Sequence, residues 1–168
     1  MTNSIVIRKA EKEDVRQIAE ICVEDWQKAY RGIIDDDFVD SYNVEDRYNI
    51  EMKRYQDLIV AVNSDLVLGY VWPASSEEEP ADCEIIALYV RYNFRNRGVG
   101  KLLMEHIEGQ FRQEGKKAMI IWCLKDNHES RAFYEAMGGR EYKTGSHNWG
   151  GRDYDMISYL YDLTAPIS

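Results

Sequence analysis

Apolar positions along the chain change period several times, and each change marks an element. Ile5-Val6-Ile7 is a short apolar run that predicts a first strand. From Lys12 onward, Val15, Ile18, Ala19, Cys22, Trp26 and Ala29 fall on one helical face, which predicts a helix to about Tyr30, ended by Gly32. Asp35-Asp36-Asp37 suits the start of a second short helix, because carboxylates accept the N–H groups left unpaired there. Three adjacent carboxylates without a glycine-turned loop read as such a cap rather than as a metal site. Asn43 opens a third helical stretch to about Tyr55, with Val44, Tyr48 and Met52 four apart.

From Leu58 the period becomes that of strands. Leu58 to Val62, a turn at Asn63-Ser64-Asp65, and Leu66 to Trp72 make a β-hairpin that Pro73 is expected to stop. Ser75 to Pro80, with Glu77-Glu78-Glu79, reads as a polar surface loop and the segment expected to be most flexible. Cys83 to Val90 is apolar and partly β-branched, the pattern of a mostly buried strand. Beyond a turn at Arg95 to Lys101, Leu102, Leu103, Ile107 and Phe111 form the apolar stripe of a helix that runs to about Glu114 and is closed by Gly115. Ala118 to Leu124 is another apolar strand, and a strand–helix–strand unit of this length implies parallel pairing with a right-handed crossover. Asn127 to Met137 predicts a short helix stopped by Gly138-Gly139. Strands follow from Arg140 to about Ser146 and from about Tyr154 to Leu163, around a turn at Gly150-Gly151. Repeats, linkers and a second core are not visible, so residues 1–168 read as a single α/β domain.

Composition narrows the partners. Of 168 residues 45% are hydrophobic, as in a soluble globular chain, and the length suits one real core. Lys and Arg number 21 against 30 Asp and Glu, a net charge of −9. That balance argues against nucleic acid, which needs a basic face to displace counterions, and is compatible with a cationic small molecule. Cys22, Cys83 and Cys123 stand apart in apolar surroundings, and their odd number and spacing point to a reducing cytoplasm rather than a disulfide framework. A nucleophilic Cys83 or Cys123 is the alternative to a packing thiol. His106, His128 and His147 lack metal-ligand spacing, so no metal is expected. Nothing approaches the ~20 apolar residues of a membrane span, and the N-terminus carries no signal sequence pattern.

The scarce basic residues gather between Arg91 and Lys101, around the turn Arg95-Asn96-Arg97-Gly98-Val99-Gly100-Lys101. Its glycines let the backbone turn sharply and let a ligand approach it closely. The first N–H groups of the following helix, at the positive end of its dipole, form a site for an anion, above all a phosphate. It is neither the nucleoside-triphosphate loop, since Leu102 follows Lys101, nor the dinucleotide fingerprint, which needs a third glycine.

A second constellation stands roughly thirty residues on, at Asn127-His128-Glu129-Ser130-Arg131-Ala132-Phe133-Tyr134-Glu135-Ala136-Met137-Gly138. With it the chain resembles the GCN5-related N-acetyltransferase (GNAT) superfamily. Arg95 to Gly100 matches the family's Gln/Arg-x-x-Gly-x-Gly/Ala pyrophosphate loop. Asn127 to Gly138 matches its Asn-x-x-[Ser/Ala]-x-x-[Phe/Leu]-Tyr-x-x-x-Gly segment. The resemblance implies a single mixed sheet of six to seven strands flanked by helices, with two central parallel strands splayed around the cofactor. It also implies acetyl-CoA as cosubstrate and direct attack by an amine in a ternary complex. The family's pyrophosphate contacts fall on Arg95, Arg97, Gly98, Val99, Gly100 and Lys101. Its pantetheine pairing falls on the backbone of Leu88 and Val90, and its contacts to the CoA arm on Asn127 and Ser130.

Tyr134 matches the family's general acid. An ordinary phenol, pKa about 10, stays protonated where a thiol, about 8.5, does not, so Tyr134 could protonate the departing thiolate; the alternative is a core aromatic. Glu84 matches a common position for a carboxylate base, the alternative being a solvated strand end. Trp26, Tyr30, Trp72 and Trp149 are candidates for an acceptor site, since aromatic faces attract cations; for Trp26 core packing is the competing reading. The expected partner is a small-molecule amine in a cytoplasmic enzyme, with no nucleic acid and no membrane, and a homodimer is compatible with the family. Acetylation of a protein N-terminus or lysine, or acetyl-CoA binding without catalysis, are the alternatives.

Overall fold

The computed structural model describes residues 4–165. Seven strands run Val6–Lys9 (β1), Ile59–Asn63 (β2), Leu66–Ser75 (β3), Cys83–Val90 (β4), Ala118–Leu124 (β5), Arg140–Trp149 (β6) and Arg152–Asp162 (β7). Among the described residues five α-helices run Val15–Ala29 (α1), Asp36–Asp40 (α2), Val44–Met52 (α3), Val99–Gln113 (α4) and His128–Ala136 (α5). The sheet order is β1-β2-β3-β4-β5-β7-β6, and it is mixed, because β4 and β5 are parallel while β1–β2, β2–β3, β5–β7 and β6–β7 are antiparallel. The expectation of a mixed sheet of six to seven strands flanked by helices therefore holds. The chain divides into two compact units. One takes in the chain up to Pro73 together with Ala87–His106; the other takes in Ala74–Ile86 together with the chain from Ile107.

In the first unit, the helical stripe read from the sequence is the buried face of α1: Val15, Ile18, Ala19, Cys22 and Trp26 are all buried. Gln17, on the same helix, donates to Asp65 O at 2.9 Å and accepts from Val67 N at 2.8 Å, fixing α1 to the β2–β3 turn. Asn43 caps α3 by accepting from Asp46 N at 2.9 Å. Glu51 at the end of α3 is fully buried, and its carboxylate accepts from Arg47 Nε and Arg54 Nε, both at 3.0 Å. Burying a carboxylate is tolerable only with such donors. Trp26 sits among Tyr30, Phe38 and Tyr42, stacked on Tyr42 with ring centroids 4.2 Å apart.

In the second unit, Asp82 accepts from the N–H groups of Lys117 and Ala118 and so sets the start of β5. Pairing of β4 with β5 runs from Cys83↔Met119 to Ile85↔Ile121. A register shift interrupts the β6–β7 ladder between Glu141 and Thr144. There the buried hydroxyl of Ser158 accepts from Lys143 N at 3.2 Å and donates to Lys143 O at 3.0 Å, replacing the lost ladder bonds.

Three details differ from the sequence reading. Pro73 does not stop β3, which continues to Ser75: the register with β2 ends at Val71, so no donor is required of the proline on that side. The acidic loop is tied down rather than loose, since Glu78 accepts from Trp122 Nε1 at 3.0 Å and pairs with Lys143 Nζ at 2.6 Å. Strand β6 reaches Trp149 because the Gly150-Gly151 turn, with both glycines at positive φ, allows a tight hairpin.

Truncating Glu51 leaves two partly buried guanidinium groups without the carboxylate they share. Glu51→Ala is expected to lower the unfolding free energy by about 3 kcal/mol, the scale of breaking a buried ion pair, measured by urea denaturation. A loss within error of zero would show that water satisfies Arg47 and Arg54 instead.

Candidate active site

The turn between β4 and α4 belongs to the first unit and is held by α1. Arg95 donates its Nη2 to Asp25, an acid only 5% exposed, while its guanidinium carbon lies 5.3 Å from the Tyr92 ring centre. Tyr92 N donates to Glu24 at 3.1 Å, and Arg91 reaches Val67 O at 2.8 Å and Gln17 at 3.0 Å. Two of the clustered basic residues thus build the turn. The other two, Arg97 and Lys101, are exposed; Arg97 lies over Phe94 at 5.2 Å and Lys101 is 3.9 Å from Glu105, one helical turn on.

Gly98 has φ +86°, a conformation that a side chain strains, and its carbonyl accepts the first helical bond from Leu102 N at 3.0 Å. Space for a Cβ is open there, so conformation rather than crowding selects glycine. The N–H groups of Val99, Gly100 and Lys101 occupy the first turn of a 15-residue helix, where an anion finds donors and the dipole's positive end. Upstream, Ile86 is 43% exposed and Leu88 and Val90 are half-buried, unusual for apolar residues of an interior strand. These residues fit a phosphate-bearing ligand with an apolar arm.

The second unit holds the other motif. Asn127 caps α5, its Oδ1 accepting from Ser130 N at 3.2 Å, which leaves the two donors of its amide group to point elsewhere. Tyr134 is 8% exposed, with its ring centre 5.6 Å from Phe133 and 6.0 Å from Tyr159. Its carbonyl accepts from Tyr161 Oη at 2.7 Å, and Tyr159 Oη donates to Glu135 at 2.9 Å while accepting from Arg131 Nε at 3.0 Å. Gly139 is required for the same packing: a Cβ there would lie 2.7 Å from the Tyr161 ring. Tyr134 therefore sits on a helix fixed by side chains on β7.

Glu84 is half-buried on β4 and makes no hydrogen bond or ion pair among the described residues. Burial, and then the nearby charge of Glu78, push its carboxyl above the ordinary range. For Glu78 itself burial acts in the same direction, but the bonds from Lys143 and Trp122 outweigh it and hold the carboxyl below the ordinary range. A carboxylate with a raised pKa and no partner is a competent proton acceptor near neutral pH.

Of the aromatic candidates, Trp26, Tyr30 and Trp72 belong to the first unit and Trp149 to the second. Trp26 is 4% exposed at the centre of its cluster, beside Tyr30 at 4.5 Å, so packing accounts for it. Trp72 carries the Arg54 guanidinium at 4.2 Å, and the Trp149 ring lies tilted against His147, with ring centres 4.2 Å apart, on the β6–β7 hairpin. Sequence reasoning passed over Trp122, which lines a pocket with Glu78 and Lys143. The one available signal was an aromatic with a polar edge inside an otherwise aliphatic strand. Burial pushes the thiols of Cys22 and Cys123 up to about 11 and that of Cys83 up to about 12, which disfavours the thiolate and supports a packing role. Among the described residues no three His, Cys, Asp or Glu side chains gather as a metal-binding set, and no helix is long and apolar enough to cross a membrane.

Known proteins are similar to this chain in sequence and in fold. The family model of the acetyltransferase (GNAT) family matches residues 12–139, so the chain belongs to that family and its activity class is N-acetyl transfer. The uncharacterized N-acetyltransferase YuaI of Bacillus subtilis (strain 168) is 29% identical over 138 residues, covering 79% of this chain and 78% of that one. A spermidine N(1)-acetyltransferase of Thermoplasma acidophilum is 23% identical over 142 residues, covering 80% and 88%. The structure of YncA from Salmonella typhimurium with its cofactor acetyl-CoA shares the fold, with a TM-score of 0.71 at 20% identity and coverage of 99% and 98%.

A raised carboxyl pKa has a fixed sign in stability. The native state holds the Glu84 proton more tightly than the unfolded chain, so stability falls as pH rises from the ordinary value of 4.5 through the raised one. Glu84→Gln, neutral throughout, is expected to melt above wild type at pH 7–8, and the gap should close below about pH 4. Calorimetric melting against pH checks this; a gap constant with pH would mean that Glu84 titrates as an ordinary exposed acid.

Proposed function

We propose that this enzyme moves the acetyl group of acetyl-CoA to the primary amine of a small molecule by direct attack. The observation that carries the reading is the start of α4. A left-handed Gly98 opens three successive N–H groups, and two exposed cations, Arg97 and Lys101, flank them. Those N–H groups would cradle the pyrophosphate, with Arg97 and Lys101 balancing its charge, while Arg95 keeps the turn in shape through Asp25. Backbone groups of Leu88 and Val90 would hydrogen-bond the pantetheine amides, which explains why apolar residues there are left half-covered. Asn127 and Ser130 would contact the same arm.

Acetyl-CoA supplies an activated thioester. Glu84 takes the proton that the attacking ammonium must lose, a role its raised carboxyl suits. Tyr134 gives its phenolic proton to the sulfur, which leaves as a neutral thiol. The nitrogen sheds two protons in all, one to Glu84 before attack and one as the C–N bond forms and the C–S bond breaks. The second restores the Tyr134 phenol that protonated the sulfur, and the first passes from Glu84 to solvent, so ammonium and thioester give amide, thiol and one released proton. A cationic acceptor is supported by the net charge of −9 and by the spermidine activity named for one relative.

Two substitutions separate binding from chemistry. Gly98→Val is expected to weaken acetyl-CoA binding about tenfold or more by calorimetry, because a β-branched residue resists positive φ. Tyr134→Phe keeps the ring and should leave that affinity unchanged while turnover falls by roughly ten- to a thousandfold, the range of general-acid effects. Undiminished affinity in the first variant would remove the phosphate cradle; undiminished turnover in the second, with chemistry rate-limiting, would make Tyr134 a packing residue.

A further inference from the structure

The second unit contains a pocket of about 540 Å3 whose lining includes Glu78, Trp122, Lys143, Gly145, His147 and Met156. Its floor is built to hold a ring or chain flat. The Trp122 indole is fixed at its edge by Nε1–H donating to Glu78 at 3.0 Å, and Glu78 is fixed in turn by Lys143 at 2.6 Å. Lys143 is turned towards Glu78 at the interrupted register of β6, where both its backbone groups bond to Ser158 Oγ. At position 145 the absence of a side chain leaves the indole face open, since a Cβ would stand 3.2 Å from two of its ring atoms, a tight contact. The Met156 thioether completes an apolar bed that adapts to ligand shape.

This pocket connects to Glu84 through the sheet. Glu84 pairs with Ile120, and Trp122 is two residues further along β5, so Glu84 and Trp122 project from one face. Charge then selects the ligand. Glu78 and Lys143 cancel each other, leaving Glu84 as the uncompensated group beside the pocket. An ammonium is favoured there and a carboxylate is repelled, while the indole face suits apolar or cationic groups.

We propose that this pocket takes the carbon body of the acceptor, with its amine directed to Glu84, and that the acceptor is a primary amine on a short aryl or alkyl body without a carboxylate. The inference rests on the acetyltransferase reading for the fate of the amine, but occupancy of the pocket can be measured without turnover. Trp122 is its specificity-determining residue.

The experiment is calorimetric titration of 2-phenylethylamine and of L-phenylalanine into the full chain, with acetylation of both followed in parallel. Phenylethylamine is expected to bind at least tenfold more tightly than phenylalanine, which differs only by the carboxylate. Trp122→Ala should weaken its binding at least tenfold while acetyl-CoA affinity stays at the wild-type value. Gly145→Val, on the outer strand, fills the pocket without removing the indole and should have the same effect, so the test survives if the first variant fails to fold. Equal binding of the two ligands, no binding of phenylethylamine, or wild-type binding in either folded variant overturns the pocket assignment. Binding that passes these tests without acetylation of any amine would overturn the catalytic reading and leave the pocket standing.

Discussion

The ion pair between Arg95 and the buried Asp25 is the constraint on which the β4–α4 turn depends. A carboxylate inside α1 is unstable without a cation, and the guanidinium that reaches it comes from 70 residues away in sequence. Neither partner can be moved without leaving a charge behind, so the turn is tied to the longest buried helix face of its unit. Bonds from Tyr92 to Glu24 and from Arg91 to Gln17 act in the same direction. Backbone donors fixed in this way before a ligand arrives need no ordering when it binds, which is what makes a helix start effective as an anion site.

The second unit secures its own helix by different means. Tyr159 and Tyr161 reach from β7 to α5, one through side chains and one through the Tyr134 carbonyl, while Arg131 also bridges to Glu141 at 2.8 Å. A short helix of nine residues has little stability of its own, and these contacts replace what length would otherwise provide. Each motif is thus a local sequence pattern held by residues outside it.

That division explains what could be read from the chain. The limits of β4, β5, α4 and α5 were legible because glycines and caps mark them: Gly115 and Gly138 both carry the positive φ that ends a helix, and Asn127 does cap α5. The role expected of Gly98 comes from a glycine turn at a helix start, and that of Tyr134 from the resemblance to the acetyltransferase family. Arg95 was not legible as a turn-builder, because its partner lies on α1. Trp122 and Glu78 were hidden for the same reason, since one sits in an apolar run and the other in a loop that composition marks as loose. Trp26 carries two readings in the sequence, since its spacing suits both a ligand wall and a core, and the rings of Phe38 and Tyr42 around it support the core.

Strand β6 has a consequence for how the protein behaves at high concentration. It is the last strand of the sheet, ten residues long, with nine of them exposed. A flat outer strand of that length is a template for a foreign strand and hence for aggregation. Here the ladder is broken between Glu141 and Thr144, the unpaired backbone groups of Lys143 are capped by a side chain of the neighbouring strand, and Arg140, Glu141 and Lys143 are charged. An incoming strand could not keep register past that point without burying those charges. The same irregularity that sets Lys143 beside Glu78 therefore also blunts the edge against runaway β-assembly.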